Sequence, residues 1–155
     1  FSQAIISSMS DNLSIAELYD LLETDAPAVR TPALVELVGD ASRRLAVYGT
    51  LAPGRPNHHV VEPLDGVWST GWVRGHLFDS GRGAAAGYPG VVLDRGGPGV
   101  PIDLLVSDDL PFAWRALDRF EGPGYRRALA PVLDQTGGLV AVANIYVLIP
   151  DATPR

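Results

Sequence analysis

The chain contains no cysteine, which removes disulfides, thiolate metal sites and a cysteine nucleophile at once. It is also short of positive charge. With 12 basic against 18 acidic residues and a net charge of −6, it lacks the electrostatic footprint needed to grip a phosphate backbone, so nucleic acid is excluded as a partner. Long apolar runs are missing too. None approaches the roughly 18 residues of a membrane span, and no basic segment leads into an apolar one as in a secretory signal. The glycine spacings of a phosphate loop or dinucleotide fingerprint are absent. Ser69 and Thr70 lack the Gly-x-Ser-x-Gly setting of a serine hydrolase. His58 and His59 are adjacent and so point in different directions, while His76 has no acidic partner at ligand spacing; no metal site is expected. For a cysteine-free chain of this kind a reducing cytoplasm is the simplest setting.

What remains is a globular composition. At 155 residues, 46% hydrophobic and 19% charged, the chain matches one domain with a genuine core. Phe1 to Ser8 precede the single methionine, Met9, and are expected to be a remnant of expression or processing. Ser14 and Glu17 form a capping box ahead of a helix over about Ile15–Glu23, with Ile15, Leu18, Tyr19 and Leu22 on one face. Thr31-Pro32 marks a second helix start, with Leu34, Leu37 and Val38 at helical spacing up to Gly39. Residues 1–44 are therefore read as an extension with two short helices, whose plainest role is packing; covering a barrel edge, closing over a site or meeting a second subunit are the alternatives.

From Leu45 onward the signals are mostly those of strands: Leu45–Tyr48, Val67–Phe78, Val91–Leu93, Ile102–Val106, Ala128–Leu133 and Leu139–Leu148, with Gly137-Gly138 as a hairpin turn. One helix is expected from about Pro111 to Phe120, capped by Asp108 or Asp109, with Ala113, Trp114, Leu117 and Phe120 inward and Arg115 and Asp118 outward. The 17 glycines and 13 prolines suit tight turns around short strands. The pattern is α+β, a small curved sheet whose closure would remove exposed edges.

The most informative stretch joins a strand to the turn Tyr48-Gly49-Thr50-Leu51, then Gly54 and Pro56-Asn57-His58. A glycine at a strand end lets backbone amides approach a ligand closely. With the hydroxyls of Tyr48 and Thr50, this turn offers donors without a cation, which suits a carboxylate or a developing oxyanion. A second block, Leu117-Asp118-Arg119-Phe120-Glu121-Gly122 followed by Tyr125-Arg126-Arg127, ends a helix on a carboxylate. Placement beside an aromatic ring and at a helix C-terminus would raise its pKa; a solvated glutamate, or one paired with Arg126 or Arg127, is the competing reading.

Together these blocks, with Gly75 to Asp79 and Tyr88-Pro89-Gly90 between them, resemble the γ-glutamylcyclotransferase superfamily, in its AIG2-like and γ-glutamylamine cyclotransferase branch. The resemblance covers roughly Leu45 to Val147. It implies a mixed β-barrel of the γ-glutamylcyclotransferase-like type flanked by short helices, occupying residues 45–150, with 151–155 as a tail. It also implies a cofactor-free, metal-independent enzyme that cyclises a small γ-glutamyl amine or amino acid to 5-oxoproline and expels the amine. Glu121 falls at the position of the family's catalytic acid. Gly49, Thr50 and Leu51 are then candidates for holding the substrate carboxylate or oxyanion, Tyr48 for lining the pocket, and Tyr125 for closing its far wall and donating a hydrogen bond. An amidase or hydrolase acting on a related small amide, and a non-catalytic small-molecule-binding module, are the alternatives on the same scaffold. The chain departs from the family pattern at Val100-Pro101-Ile102-Asp103, where relatives usually carry a Gly-Glu pair, a difference that bears on substrate preference. Pro101 removes a ladder donor and so predicts an edge position or a bulge.

Overall fold

The structure is a computed structural model and describes residues 14–23 and 38–155. Six strands form one sheet in the order β3-β2-β4-β1-β6-β5: β1 (Arg44–Val47), β2 (Val67–Phe78), β3 (Gly90–Leu93), β4 (Gly99–Val106), β5 (Tyr125–Leu133) and β6 (Leu139–Leu148). A pairing of Trp72 in β2 with Leu133 in β5 closes five of these strands into a barrel. β3 hangs outside the ring on the far half of β2, paired from Gly75↔Leu93 to Phe78↔Gly90. Neighbours are antiparallel except β1 and β6, which run parallel through Leu45↔Asn144 and Ala46↔Ile145. The fold is thus a closed mixed β-barrel with a few short helices.

Alternation along the strands sorts the apolar residues into two layers. Val100, Ile102 and Leu104 of β4, Ala143, Ile145 and Val147 of β6, and Ala130 and Val132 of β5 fill the barrel. On the outer face Leu45, Val47, Leu105 and Tyr146 meet Trp114 and Leu117 of the helix α2 (Trp114–Glu121). β1 and β6 are therefore covered on both sides, which is why they read as continuous hydrophobic runs. Burying a residue such as Ile145 or Leu105, each 0% exposed, contributes roughly 1.5–3 kcal/mol.

The helix α1 (Ile15–Glu23) begins with the expected capping box: the Glu17 amide donates to Ser14 Oγ over 3.1 Å and the Ser14 amide to Glu17 Oε1 over 3.4 Å. Its Leu18, with Leu21 and Leu22, packs against Val142, Leu129 and Leu139; Ile15 stays outside this cluster, and Tyr19 lies under the Arg95 guanidinium. The second helix start at Thr31-Pro32 lies outside the described residues, and residues 38–40 are helical. The segment entering β1 is fastened by the buried Arg44, which donates to the Val142 carbonyl over 3.0 Å, and by Asn144, which donates to the Ala41 carbonyl over 2.7 Å. Among the described residues no helix is long and apolar enough to cross a membrane.

Several expectations change. β4 starts at Gly99, three residues earlier than expected. β1 pairs only with Asp103 to Val106 of β4, so Pro101 sits where β4 has β2 alone as neighbour and its missing amide is tolerated. β5 starts at Tyr125 and carries the exposed pair Arg126-Arg127 into the ladder with β6. The Asp109 carboxylate caps no helix; it accepts the Asp65 amide at 2.9 Å, and a 3-10 turn over Leu110–Phe112 precedes α2. His76 does have an acidic partner, because β2–β3 pairing brings Asp94 within 2.8 Å of its Nε2. In the β5–β6 hairpin the Asp134 carboxylate gathers the Thr136 and Gly138 amides, and Gly137 takes φ +85°.

Candidate active site

A cavity of about 410 Å³ opens at one end of the barrel, and every sequence-predicted site residue lines it: Tyr48, Gly49, Thr50, Leu51, Glu121 and Tyr125. Two features bring them together. β1 delivers the 48–51 turn at its carboxyl end. α2 crosses the outside of the same strand through Trp114 and Leu117 and ends on Glu121.

Glu121 is the last residue of α2, and the next residue decides where its side chain goes. Gly122 adopts φ 82°, ψ −173°, a combination open essentially to glycine alone. The chain leaves the helix there and turns into β5, so the carboxylate is left at the cavity wall. A Cβ on Gly124 would come within 2.9 Å of Ala85, so the bare backbone at that position lets the 83–85 turn close over the same corner.

The Glu121 carboxylate is half-buried, and no described residue donates to it or pairs with it. Arg127, one of the competing partners, is engaged elsewhere: its Nε reaches Asp118 over 3.0 Å and its guanidinium stacks on Trp114. Desolvation without compensation raises the Glu121 pKa from 4.5 to about 7, which poises it between its charged and neutral forms near neutral pH. No other side chain lining the cavity carries a charge at neutral pH.

The 48–51 turn lines the cavity and keeps main-chain donors unspent. Ala52 donates to the Gly49 carbonyl and Asn57 to the Thr50 carbonyl, which shapes the loop, while no described group accepts from the amides of Gly49, Thr50 or Leu51. Thr50 Oγ1 accepts from Asn57 Nδ2 over 3.0 Å, leaving the hydroxyl proton free for a ligand. His58 fixes the turn from behind, its Nδ1 lying 2.9 Å from the Leu51 carbonyl. A Cβ on Gly49 would approach Pro89 Cγ to 3.3 Å, so the small residue keeps the passage between turn and opposite wall open.

Three tyrosines frame the carboxylate. Tyr48 donates to the Tyr146 carbonyl over 2.6 Å and accepts the Val91 amide at 3.3 Å. Burial, and then the charge of Glu121, pushes its phenol far above its ordinary range. Tyr146 donates to Asp118 over 2.6 Å, tying β6 to α2 one turn before Glu121. Tyr125, expected to close the far wall and donate a hydrogen bond, lines the cavity; its hydroxyl donates to the Pro89 carbonyl over 2.6 Å, and burial pushes its phenol up to about 12.

Asn57, Phe120, Pro89 and Tyr146 also line the cavity and were not assigned from sequence. Asn57 lay inside the Pro56-Asn57-His58 string, and its amide side chain beside a hydroxyl turn was the available signal. Tyr88, from the Tyr88-Pro89-Gly90 string, lines the cavity as well. Among the described residues no three histidines, aspartates or glutamates gather as a metal ion would require.

This arrangement can exchange protons at one carboxyl group beside a cluster of unspent main-chain donors. The family described as γ-glutamyl cyclotransferase, AIG2-like, matches residues 45–155. Among solved structures, YkqA from Bacillus subtilis aligns at 27% identity with a TM-score of 0.52, covering 68% of this chain; the chain spans only 35% of that protein. An AIG2-like protein from Mus musculus aligns at 24% identity with a TM-score of 0.55, over 72% of this chain and 80% of its own. Allophanate hydrolase of Kluyveromyces lactis shares the fold at 14% identity and a TM-score of 0.51, over 72% of this chain and 18% of its own. Comparison with curated protein sequences gave no match.

Proposed function

The chain belongs to the AIG2-like γ-glutamyl cyclotransferase family, and from that premise we propose that it cyclises a small γ-glutamyl amide to 5-oxoproline with release of the amine, Glu121 acting as base and then acid. The observation that carries this reading is the meeting, in one cavity, of an unpaired carboxyl group poised near pH 7 and the unspent amides of residues 49–51.

The substrate carboxylate or the developing oxyanion is held by the amides of Gly49, Thr50 and Leu51, with the Thr50 hydroxyl as a further donor. Tyr48 and Tyr125 wall the folded substrate so that its α-nitrogen lies against its own γ-carbonyl; oriented intramolecular attack of this kind reaches effective molarities of roughly 10⁵–10⁸ M. Glu121 takes a proton from the α-ammonium, and the neutral amine attacks the γ-carbon to form the ring C–N bond. The oxyanion then collapses and the Glu121 acid protonates the leaving nitrogen as its bond to carbon breaks; the carboxylate so regenerated takes the second proton from the ring nitrogen and passes it to the released amine. The two protons lost by the α-nitrogen equal the two gained by the departing amine, so one carboxyl group is restored in each turnover.

The test is a panel of γ-glutamyl amines and amino acids assayed for 5-oxoproline. The expected result is 5-oxoproline from the wild type, a rate falling about 10²–10⁴-fold in Glu121→Gln, and kcat/KM rising with pH through about 7. Free glutamate in place of 5-oxoproline would make the enzyme a hydrolase and overturn the ring closure.

A further inference from the structure

The charge and the unspent main-chain donors of the cavity belong to Glu121 and the 49–51 turn. Ala84, Tyr88, Pro89 and Phe120 complete much of the remaining wall, and none of them carries a charge. Tyr88 and Phe120 are 58% and 44% exposed and reach the cavity from separate segments, the loop after β2 and the end of α2. None of the chain's described arginines lines this space, and the chain has no lysine.

A substrate held by its glutamyl end on those donors must leave the rest of the molecule against this half-exposed rim. Resting on the cyclotransferase reading, we infer that the group released is an uncharged, apolar or aromatic amine (uncharged while in amide linkage) seated between Phe120 and Tyr88. A leaving part bearing a carboxylate would lose solvent without gaining a cation. It would also share the cavity with Glu121, whose ionised form the reaction needs, and like charges at close quarters disfavour that form. A distal ammonium finds no second carboxylate in the lining. A flat apolar group loses nothing polar and gains two rings to lie against. The rim thus selects by what it rejects as well as by what it holds.

The experiment compares γ-L-glutamyl-benzylamide, γ-L-glutamyl-ethylamide and γ-L-glutamyl-L-glutamate in two readouts: 5-oxoproline formation by the wild type, and equilibrium binding to Glu121→Gln by calorimetry. The benzylamide is expected to exceed the ethylamide about tenfold or more in kcat/KM and in affinity, with the acidic compound last in both. Its rate profile should also be displaced to higher pH, because its extra carboxylate holds the Glu121 proton. Phe120→Ala and Tyr88→Ala, at half-exposed positions that the fold does not depend on, should narrow the benzylamide-to-ethylamide ratio about tenfold, mainly through KM. Equal turnover of all three compounds, or a ratio unmoved by both substitutions, overturns the inference while leaving cyclisation intact. Selective, rim-dependent binding of the benzylamide without any 5-oxoproline supports the rim and overturns the chemistry instead.

Discussion

Replacing Glu121 by glutamine should make the folded protein more stable in alkaline solution while lowering its proposed activity about 10²–10⁴-fold. Below pH 4.5 the acid is protonated in both folded and unfolded chains, and wild type and Glu121→Gln differ by a constant. Above that pH the unfolded chain releases the proton, whereas the folded chain holds it until about pH 7 because desolvation disfavours the charge. The wild type therefore loses stability relative to the variant across this interval, and the loss levels off above it. The rise from 4.5 to about 7 corresponds to about 3 kcal/mol at roughly 1.36 kcal/mol per pH unit. Urea denaturation of both proteins at pH 4, 5.5, 7 and 8.5 measures it, and only the change in their difference matters, so any new contact of the glutamine cancels. Parallel curves over the whole range would refute the reasoning, because they would mean that the carboxylate is as well solvated in the cavity as in the unfolded chain.

Three further perturbations probe the scaffold around that group. Tyr48→Phe removes a hydroxyl that satisfies both the Tyr146 carbonyl and the Val91 amide; the expected cost is about 1–3 kcal/mol in chemical denaturation, and an unchanged midpoint would contradict it. Gly122→Ala forces a side chain onto φ 82° and should cost about 1–3 kcal/mol, with 5-oxoproline formation falling further than the loss of folded protein because Glu121 is displaced. Asp118→Ala severs the ties from α2 to Tyr146 and Arg127. That ion pair is partly solvated, so a stability loss of about 1 kcal/mol is expected, accompanied by a lower kcat; a variant with wild-type values in both would show that the helix end is held by packing alone.

Much of this architecture was legible because local patterning and global burial agree. β6 is apolar along nearly its whole length and β2 mixes apolar, aromatic and β-branched residues, and both were bounded correctly; Ser14 with Glu17 announced α1. The misses came where a residue's local preference was overruled by its neighbours in space. Gly99 and Pro101 look like strand breakers, yet they lie in a strand whose other flank is open. Arg126 and Arg127 look like loop, but they pair with Val147 and Tyr146 and stay exposed within the ladder. Asp109 looks like a cap and is claimed by the Asp65 amide instead. Within the site, a family likeness pointed to Glu121 and residues 48–51, and hydroxyl chemistry pointed to Tyr125, but not to the carbonyl that would take its proton. The roles of Tyr146 and Asp118 depend on a pairing 28 residues apart, which no local pattern encodes.

The single pairing of Trp72 with Leu133 that closes the ring lies at the opposite end of β5 from Tyr125, on the order of 25 Å away at about 3.3 Å per residue. Breathing of the barrel should begin at this thin seam, where amide exchange would be fastest among the core strands, and leave the chemistry undisturbed. The same separation makes the adjoining turn at Asp134–Gly138 a permissive junction, at which a descendant of this fold can accept added sequence, or a fused module, without cost to turnover.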